Sequence, residues 1–228
     1  MTLLKHAFRQ LVLRPALSGT VIAMLALGVG AATAIFSLFY QVLVQPLPVP
    51  EPERLVNIVH LGSAPDAPRE SFSYPMFRDL EGAQGGAFRI AGHIPFGANV
   101  AYEGGAFNVP GVFVSGAYFD VLGLRPALGR LIGPQDEPRV GESAVAVLSY
   151  DLWRGRFGGD PGIVGRELTI AGQPLTVVGV APAGFSGTQL GERTQVFVPI
   201  TMRWRLTPSA VDTPDGRNFS SVLAPRAR

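Results

Sequence analysis

Residues 15–50 read PALSGTVIAMLALGVGAATAIFSLFYQVLVQPLPVP, a run without one charged side chain, and within it residues 17–44 are almost wholly apolar or small. As a helix that segment rises about 42 Å at 1.5 Å per residue, more than the ~30 Å hydrocarbon layer of a bilayer requires, with room for tilt. A helix closes its backbone hydrogen bonds internally, so lipid can solvate it. The rival reading is a cleaved leader, because Ala32-Thr33-Ala34 has the small-x-small form of a cleavage site after a basic start. The apolar stretch continues past that site through Ile35, Phe36, Leu38, Phe39, Val42, Leu43 and Val44, which a leader's short core does not need. An uncleaved anchor is therefore expected.

Outward from the anchor, charge sets its orientation. Lys5, Arg9 and Arg14 precede the span and Glu51, Glu53 and Arg54 follow it. The positive-inside rule then leaves the N-terminus in the cytoplasm and everything after Pro46 outside. Three parts are expected: a cytoplasmic amphipathic segment over 1–14, a transmembrane helix and its exit over 15–46, and an extracytoplasmic domain over 47–228. In the first part Leu3, Leu4, Ala7, Phe8 and Leu11 recur at helical spacing, the pattern of a short interfacial helix ended by Pro15, though a plain charged flank fits as well. Inside the span Gly19, Ala23, Ala26, Gly30 and Ala34 share one helical face, where a neighbouring helix can approach closely. A chain rich in Ala and Gly also produces such a face by composition.

Composition removes several function classes. The 228 residues include no Cys, which excludes disulfide scaffolds, thiol nucleophiles and Cys-ligated metal sites. The basic residues are Arg except for Lys5, so there is no P-loop Lys and no ATP site of that kind. Beyond residue 14 bases and acids nearly balance, so the slight basic excess belongs to the head and no nucleic-acid-binding face is expected. Gly and Pro are abundant without a fixed period, favouring a domain rich in strands and turns.

The outer segment reads as α+β. Residues 55–61 (LVNIVHL) are β-like, and residues 73–80 (SYPMFRDL) form a short amphipathic helix with a Ser cap and Pro75 in its first turn. Strands are expected over 88–93, 98–102 and 107–114, with a turn at Glu103-Gly104-Gly105 and an edge or bulge at Pro110-Gly111. A brief helix over 117–122, a buried strand over 145–149 and a helix over 150–157 follow. Residues 167–170 and 175–180 make a hairpin turning at Ala171-Gly172-Gln173-Pro174, and a last strand covers 195–200.

The search for chemistry yields no catalytic, cofactor or metal residue. His60 and His93 lack a second His one helical turn away, so strand-end or surface positions are the simpler reading. Ser186 in Gly184-Phe185-Ser186-Gly187 lacks the setting of a hydrolase nucleophile and reads as a turn. Asp136-Glu137 reads as a solvated turn, and Asn218-Phe219-Ser220 matches a glycosylation acceptor with nothing else to support that route. Arg154 and Arg156 beside Trp153 have the charge to seat an anion; an exposed helix end hydrated by water is the plainer account.

With these residues in view, the chain resembles the N-terminal part of an ABC-transporter permease of the macrolide-exporter-like (MacB-like), FtsX-like class, carrying that family's periplasmic core domain. The resemblance rests on the anchor motif LALGVGA at 25–31 with AIFS at 34–37, on Pro46-Leu47-Pro48 and Pro52-Glu53-Arg54-Leu55, and on Ser73-Tyr74-Pro75. It continues through VSGAYF at 114–119, Leu122-Gly123-Leu124, Gly129-Arg130, VLSY at 147–150, Leu152-Trp153, FGGDP at 157–161, VVGVAP at 177–182 and Gly184-Phe185. It covers nearly all of residues 1–220, in order, and is most similar to the large duplicated permeases of soil bacteria. Ala32 stands where the family often has Asn, and the pattern stops after Arg217-Asn218-Phe219.

The resemblance implies one membrane helix followed by an extracytoplasmic lobe of porter-like βαβ units with a smaller inserted lobe. It also implies mechanotransmission, in which a separate cytoplasmic ATPase subunit drives the helices and through them the outer lobe, with no catalytic residues in this chain. The expected setting is the bacterial inner membrane, with other permease helices, an ATPase subunit and envelope proteins as partners. On this reading the outer domain is incomplete at its C-terminus, the remaining membrane helices are lacking, and one edge of its sheet is left unpaired. The alternatives are a single-span envelope ligand-binding or adaptor module and, further off, an anchored envelope hydrolase.

Overall fold

The computed structural model describes residues 15–43, 47–61, 68–69, 71–83, 88–189, 191–208 and 219–225. The chain divides into two compact units, Met1–Pro46 and Leu47–Arg228. The interfacial helix expected over 1–14 lies outside the described residues.

Among the described residues of the first unit, one helix, α1, runs Pro15–Leu43. Pro15 stands at its start, where a missing N–H breaks no helical hydrogen bond. Within it Ser18–Ser37 is long and apolar enough to cross a membrane, with a mean hydropathy of 2.0. Two of its hydroxyls are satisfied inside the helix: Thr20 and Thr33 donate to the carbonyls of Ala16 and Val29 at 2.9 and 2.7 Å. Val21, Ile22, Leu25, Leu27, Val29, Ile35 and Phe36 are exposed, and Gly19, Ala23, Ala26, Gly30 and Ala34 are uncovered too. So continuous an apolar surface calls for lipid or other helices around it.

The second unit is built on a ten-stranded sheet. Its strands are β1 (Leu55–Asn57), β4 (Ser71–Ser73), β5 (Ala91–Tyr102), β6 (Gly105–Val114), β7 (Leu128–Gly129), β8 (Val145–Leu148), β9 (Glu167–Ile170), β10 (Gln173–Val180), β11 (Val196–Pro199) and β12 (Phe219–Pro225). The order is β1-β12-β5-β6-β11-β8-β10-β7, with β4 on β12 and β9 on both β10 and β5. Those two pairings of β9 close a circuit of six strands, β5-β6-β11-β8-β10-β9. A separate ribbon pairs β2 (His60–Leu61) with β3 (Pro68–Arg69). The helices are α2 (Tyr74–Ala83), α3 (Tyr118–Val121), α4 (Tyr150–Arg156) and α5 (Arg203–Leu206).

Local chemistry accounts for the joints. The β5–β6 hairpin turns on Glu103 and Gly104, φ 48° and 80°, and the β9–β10 hairpin on Ala171 and Gly172, φ 48° and 78°. Two consecutive left-handed residues match the twist of paired strands, which is why a Gly sits in each turn. The Ser73 and Ser149 hydroxyls accept from the backbone N–H of Met76 (3.3 Å) and Leu152 (3.1 Å), capping α2 and α4. Parallel β8 and β10, with α4 between them in sequence, make a βαβ unit.

Among the described residues three cores result. Ala98, Val100, Phe113, Leu148, Leu168, Ile170, Leu175, Val177 and Val198 belong to one buried cluster, contributed by every strand of the closed circuit. A second is aromatic: Phe197 lies 5.3 Å from Phe119 and 5.7 Å from Phe185 between ring centres, with Tyr118 beside them. Phe72, Phe77 and Ile90 make the third.

Several expected elements are corrected. Residues 55–61 are two strands in different sheets, interrupted at 58–59. The strands expected over 88–93 and 98–102 are one twelve-residue strand, β5, which holds Pro95 within it. Pro110 causes no bulge, since β5 and β6 stay in register from His93↔Val114 to Tyr102↔Gly105. Its carbonyl accepts from Gln195 N–H on the side away from β5, so the missing amide hydrogen costs the hairpin no bond. The family pattern also does not stop after Phe219: residues 219–225 form β12, paired with β1 and β4 on one side and with β5 on the other.

Candidate functional site

The residues that carry chemistry lie apart. Ser186 sits in a turn between Gly184 and Gly187, both at positive φ, and its carbonyl accepts from Thr194 N–H at 2.8 Å. His93 is buried in β5, its ring 6.1 Å from Tyr118, and burial pushes its pKa down to about 4. His60 stands opposite Arg69 in the small ribbon. Arg156 lies over the Phe107 ring at 4.7 Å, while Trp153 donates to the Asp160 carbonyl at 2.9 Å. Asn218 lies outside the described residues. Among the described residues no group of three His, Asp or Glu is placed to hold a metal ion.

One sequence reading is overturned locally. Asp136-Glu137 is not a solvated turn. Asp136 is 3% exposed and receives the Arg130 guanidinium in a fork, Nη1 to Oδ2 at 2.6 Å and Nη2 to Oδ1 at 2.8 Å, while also accepting from Gly133 N–H at 2.9 Å. Glu137 turns inward and accepts from Gly116 N–H at 2.8 Å. Burial raises its pKa to about 7; the Gly116 bond opposes that shift, nearby Glu81 adds to it, Arg78 opposes it and Asp136 adds to it. A polar run conceals such burial, because its charge partner and its backbone donor come from other segments.

A cleft of about 330 Å³ opens beside the start of the second unit, lined by Pro50, Glu51, Arg54, Leu55, Arg89, Asp120, Val121, Leu122 and Gly123. Two ion pairs stand in it, Arg54 with Glu51 and Arg89 with Asp120, the latter at 3.3 Å. Gly123, at φ 65°, follows α3, and its N–H donates to the Asp120 carbonyl at 3.1 Å. Its open Cα faces the Pro50 ring, which a Cβ there would meet at 3.6 Å. Residues from three separated segments build this cleft, so no local motif announces it.

A family model of the MacB-like periplasmic core domain matches residues 18–224. The chain belongs to that family. The match begins inside α1 and runs to β12, so the helix and the outer unit are parts of one MacB-like sequence unit. No curated protein matches the chain. Among solved structures it is similar to the extracellular domain of the noncanonic ABC-type transporter YknZ from Gram-positive bacteria, at 18% identity and TM-score 0.53 over 76% of this chain and 82% of that one. The periplasmic region of MacB from Actinobacillus actinomycetemcomitans matches at 16% identity and TM-score 0.52, over 66% and 64% of the two chains. A domain of a protein named as a permease from Porphyromonas gingivalis matches at 15% and 0.53, over 79% and 77%. Identities this low speak for the fold, which is that of MacB-like periplasmic domains.

Proposed function

We propose that this chain is the membrane-anchored extracytoplasmic part of an ABC-transporter permease of the mechanotransmission type. In such a machine a separate ATPase on the cytoplasmic face moves membrane helices, and those helices move the outer domain. The observation that carries this reading is the unbroken family match from residue 18 to residue 224, because it joins an apolar helix and a MacB-like domain in one unit. The bilayer is the bacterial inner membrane, residues 1–14 lie in the cytoplasm, and residues 47–228 face outward; the basic residues before the span and the acids after it support that orientation. The chain carries out no chemistry of its own in this scheme. Its partners are further permease helices packed against the small-residue face of α1, and the ATPase subunit.

The test is topological and biochemical. Protease added to spheroplasts should digest residues beyond Pro46 and leave the N-terminal segment intact, and protein purified in detergent should neither bind nor hydrolyse ATP. An outer domain protected until the inner membrane is broken would overturn the reading.

A further inference from the structure

The cleft at Pro50–Gly123 has an unusual charge balance. Two arginines and two carboxylates line it, already paired with one another, above a floor of Leu55, Val121 and Leu122. Both pairs are exposed: the Arg89 and Asp120 side chains are 69% and 60% accessible. Exposed pairs of this kind contribute little and are readily exchanged for other partners. A ligand carrying one sign of charge would satisfy one member of each pair and leave the other without a partner. A zwitterion satisfies both, its anion taking the guanidinium groups and its cation the carboxylates. Arginine's planar fork suits a phosphate, and carboxylates accept hydrogen bonds from a primary ammonium.

The chain order points to a membrane lipid as the source of that zwitterion. Pro50 follows Leu43, where α1 ends, by seven residues, a tether of at most about 25 Å of extended chain. On the anchored reading, a tether that short lets the cleft meet lipid headgroups. We infer that it takes the phosphoethanolamine headgroup of a phospholipid, the phosphate held by Arg54 and Arg89 and the ammonium by Glu51 and Asp120. Its volume lies at the lower end of the range for small-molecule sites and suits a headgroup with its water. The apolar floor then faces the glycerol end of the lipid. This rests on the membrane-anchored reading above.

The experiment uses the full chain in nanodiscs of three compositions: phosphatidylethanolamine with phosphatidylglycerol, phosphatidylcholine with phosphatidylglycerol, and phosphatidylglycerol alone. Hydrogen exchange is followed at residues 50–55 and 119–123. The expected result is at least threefold slower exchange in the phosphatidylethanolamine discs, because a trimethylammonium cannot donate to carboxylates and an anionic headgroup leaves them bare. Arg89→Gln and Asp120→Asn should each abolish the difference while leaving exchange in β8 and β10 unchanged, which shows that the variants are folded. Equal exchange in the three discs overturns the headgroup site while leaving the anchor intact, and failure of the chain to enter nanodiscs overturns both. Protection by free phosphoethanolamine in detergent, with no further effect of the lipid, overturns the lipid as its source.

Discussion

Arg130 and Asp136 meet in a two-bond fork, with Asp136 nearly sealed from solvent and the Arg130 side chain 45% accessible. The asymmetry decides which partner matters more. Removing the arginine strands a buried carboxylate, whereas removing the carboxylate frees a guanidinium that can turn to water. Arg130→Ala should therefore destabilise the outer unit by roughly 3 kcal/mol and Asp136→Asn by roughly half that. Chemical denaturation of the two variants measures the difference, and the opposite ranking would show that the fork is solvated.

Two titrating groups, the buried His93 and the partly buried Glu137, work against each other. Glu137 has its pKa raised from 4.5 to about 7, so the folded chain holds an extra proton across that window and stability falls as pH rises through it. His93 is lowered from 6.5 to about 4, so there the unfolded chain holds the extra proton and stability rises with pH between those values. Wild type should be nearly flat between about pH 4.5 and 6.5. Glu137→Gln should unmask the rising limb and His93→Gln the falling one, each by at most about 3 kcal/mol at 1.36 kcal/mol per unit. Melting temperatures across pH 4–8 read both; a variant profile parallel to wild type would discount that group.

Gly179 of β10 faces Gly129 of β7, and a Cβ on Gly179 would come within 2.0 Å of the Arg130 carbonyl oxygen. Backbone cannot yield as a flexible side chain can. Gly179→Ala should cost roughly 3 kcal/mol or prevent folding. Gly155, exposed in α4 with nothing near its Cα, is the control: Gly155→Ala should raise stability by about 0.5–1 kcal/mol. Thermal unfolding of both compares close approach with helix propensity.

Leu27 lies near the middle of the Ser18–Ser37 span. Leu27→Arg should raise the cost of insertion by about 3 kcal/mol, while Leu27→Ile should leave it unchanged. Alkaline carbonate extraction of membranes separates inserted from peripheral protein, and an arginine variant that stays fully in the pellet would count against a span centred here.

What the sequence made legible were features set by short-range chemistry. Glu103-Gly104 and Ala171-Gly172 are readable as turns because positive φ demands particular residues, and Ser73 as a cap because it stands at a fixed offset from its helix. Features set by distant partners were not. Pro95 falls in the gap between the expected runs 88–93 and 98–102, and whether a strand tolerates it depends on which side has a neighbour; the two residues of β7 show no periodicity at all. Asp136 looked solvated because the Arg130 fork that neutralises it cannot be seen from local polarity. The cleft shares this character, drawing on residues 50–55, 89 and 120–123.

The sheet order has a temporal side. β12, at Phe219–Pro225, lies between β1, which begins at Leu55, and β5, which begins at Ala91. On the proposed orientation, an outer domain that crosses the membrane from residue 47 onward exposes those two strands long before their common neighbour arrives. During that interval their free backbone groups are sticky templates for unrelated chains, so biogenesis of this domain calls for a holding factor or for rapid delivery of residues beyond 218.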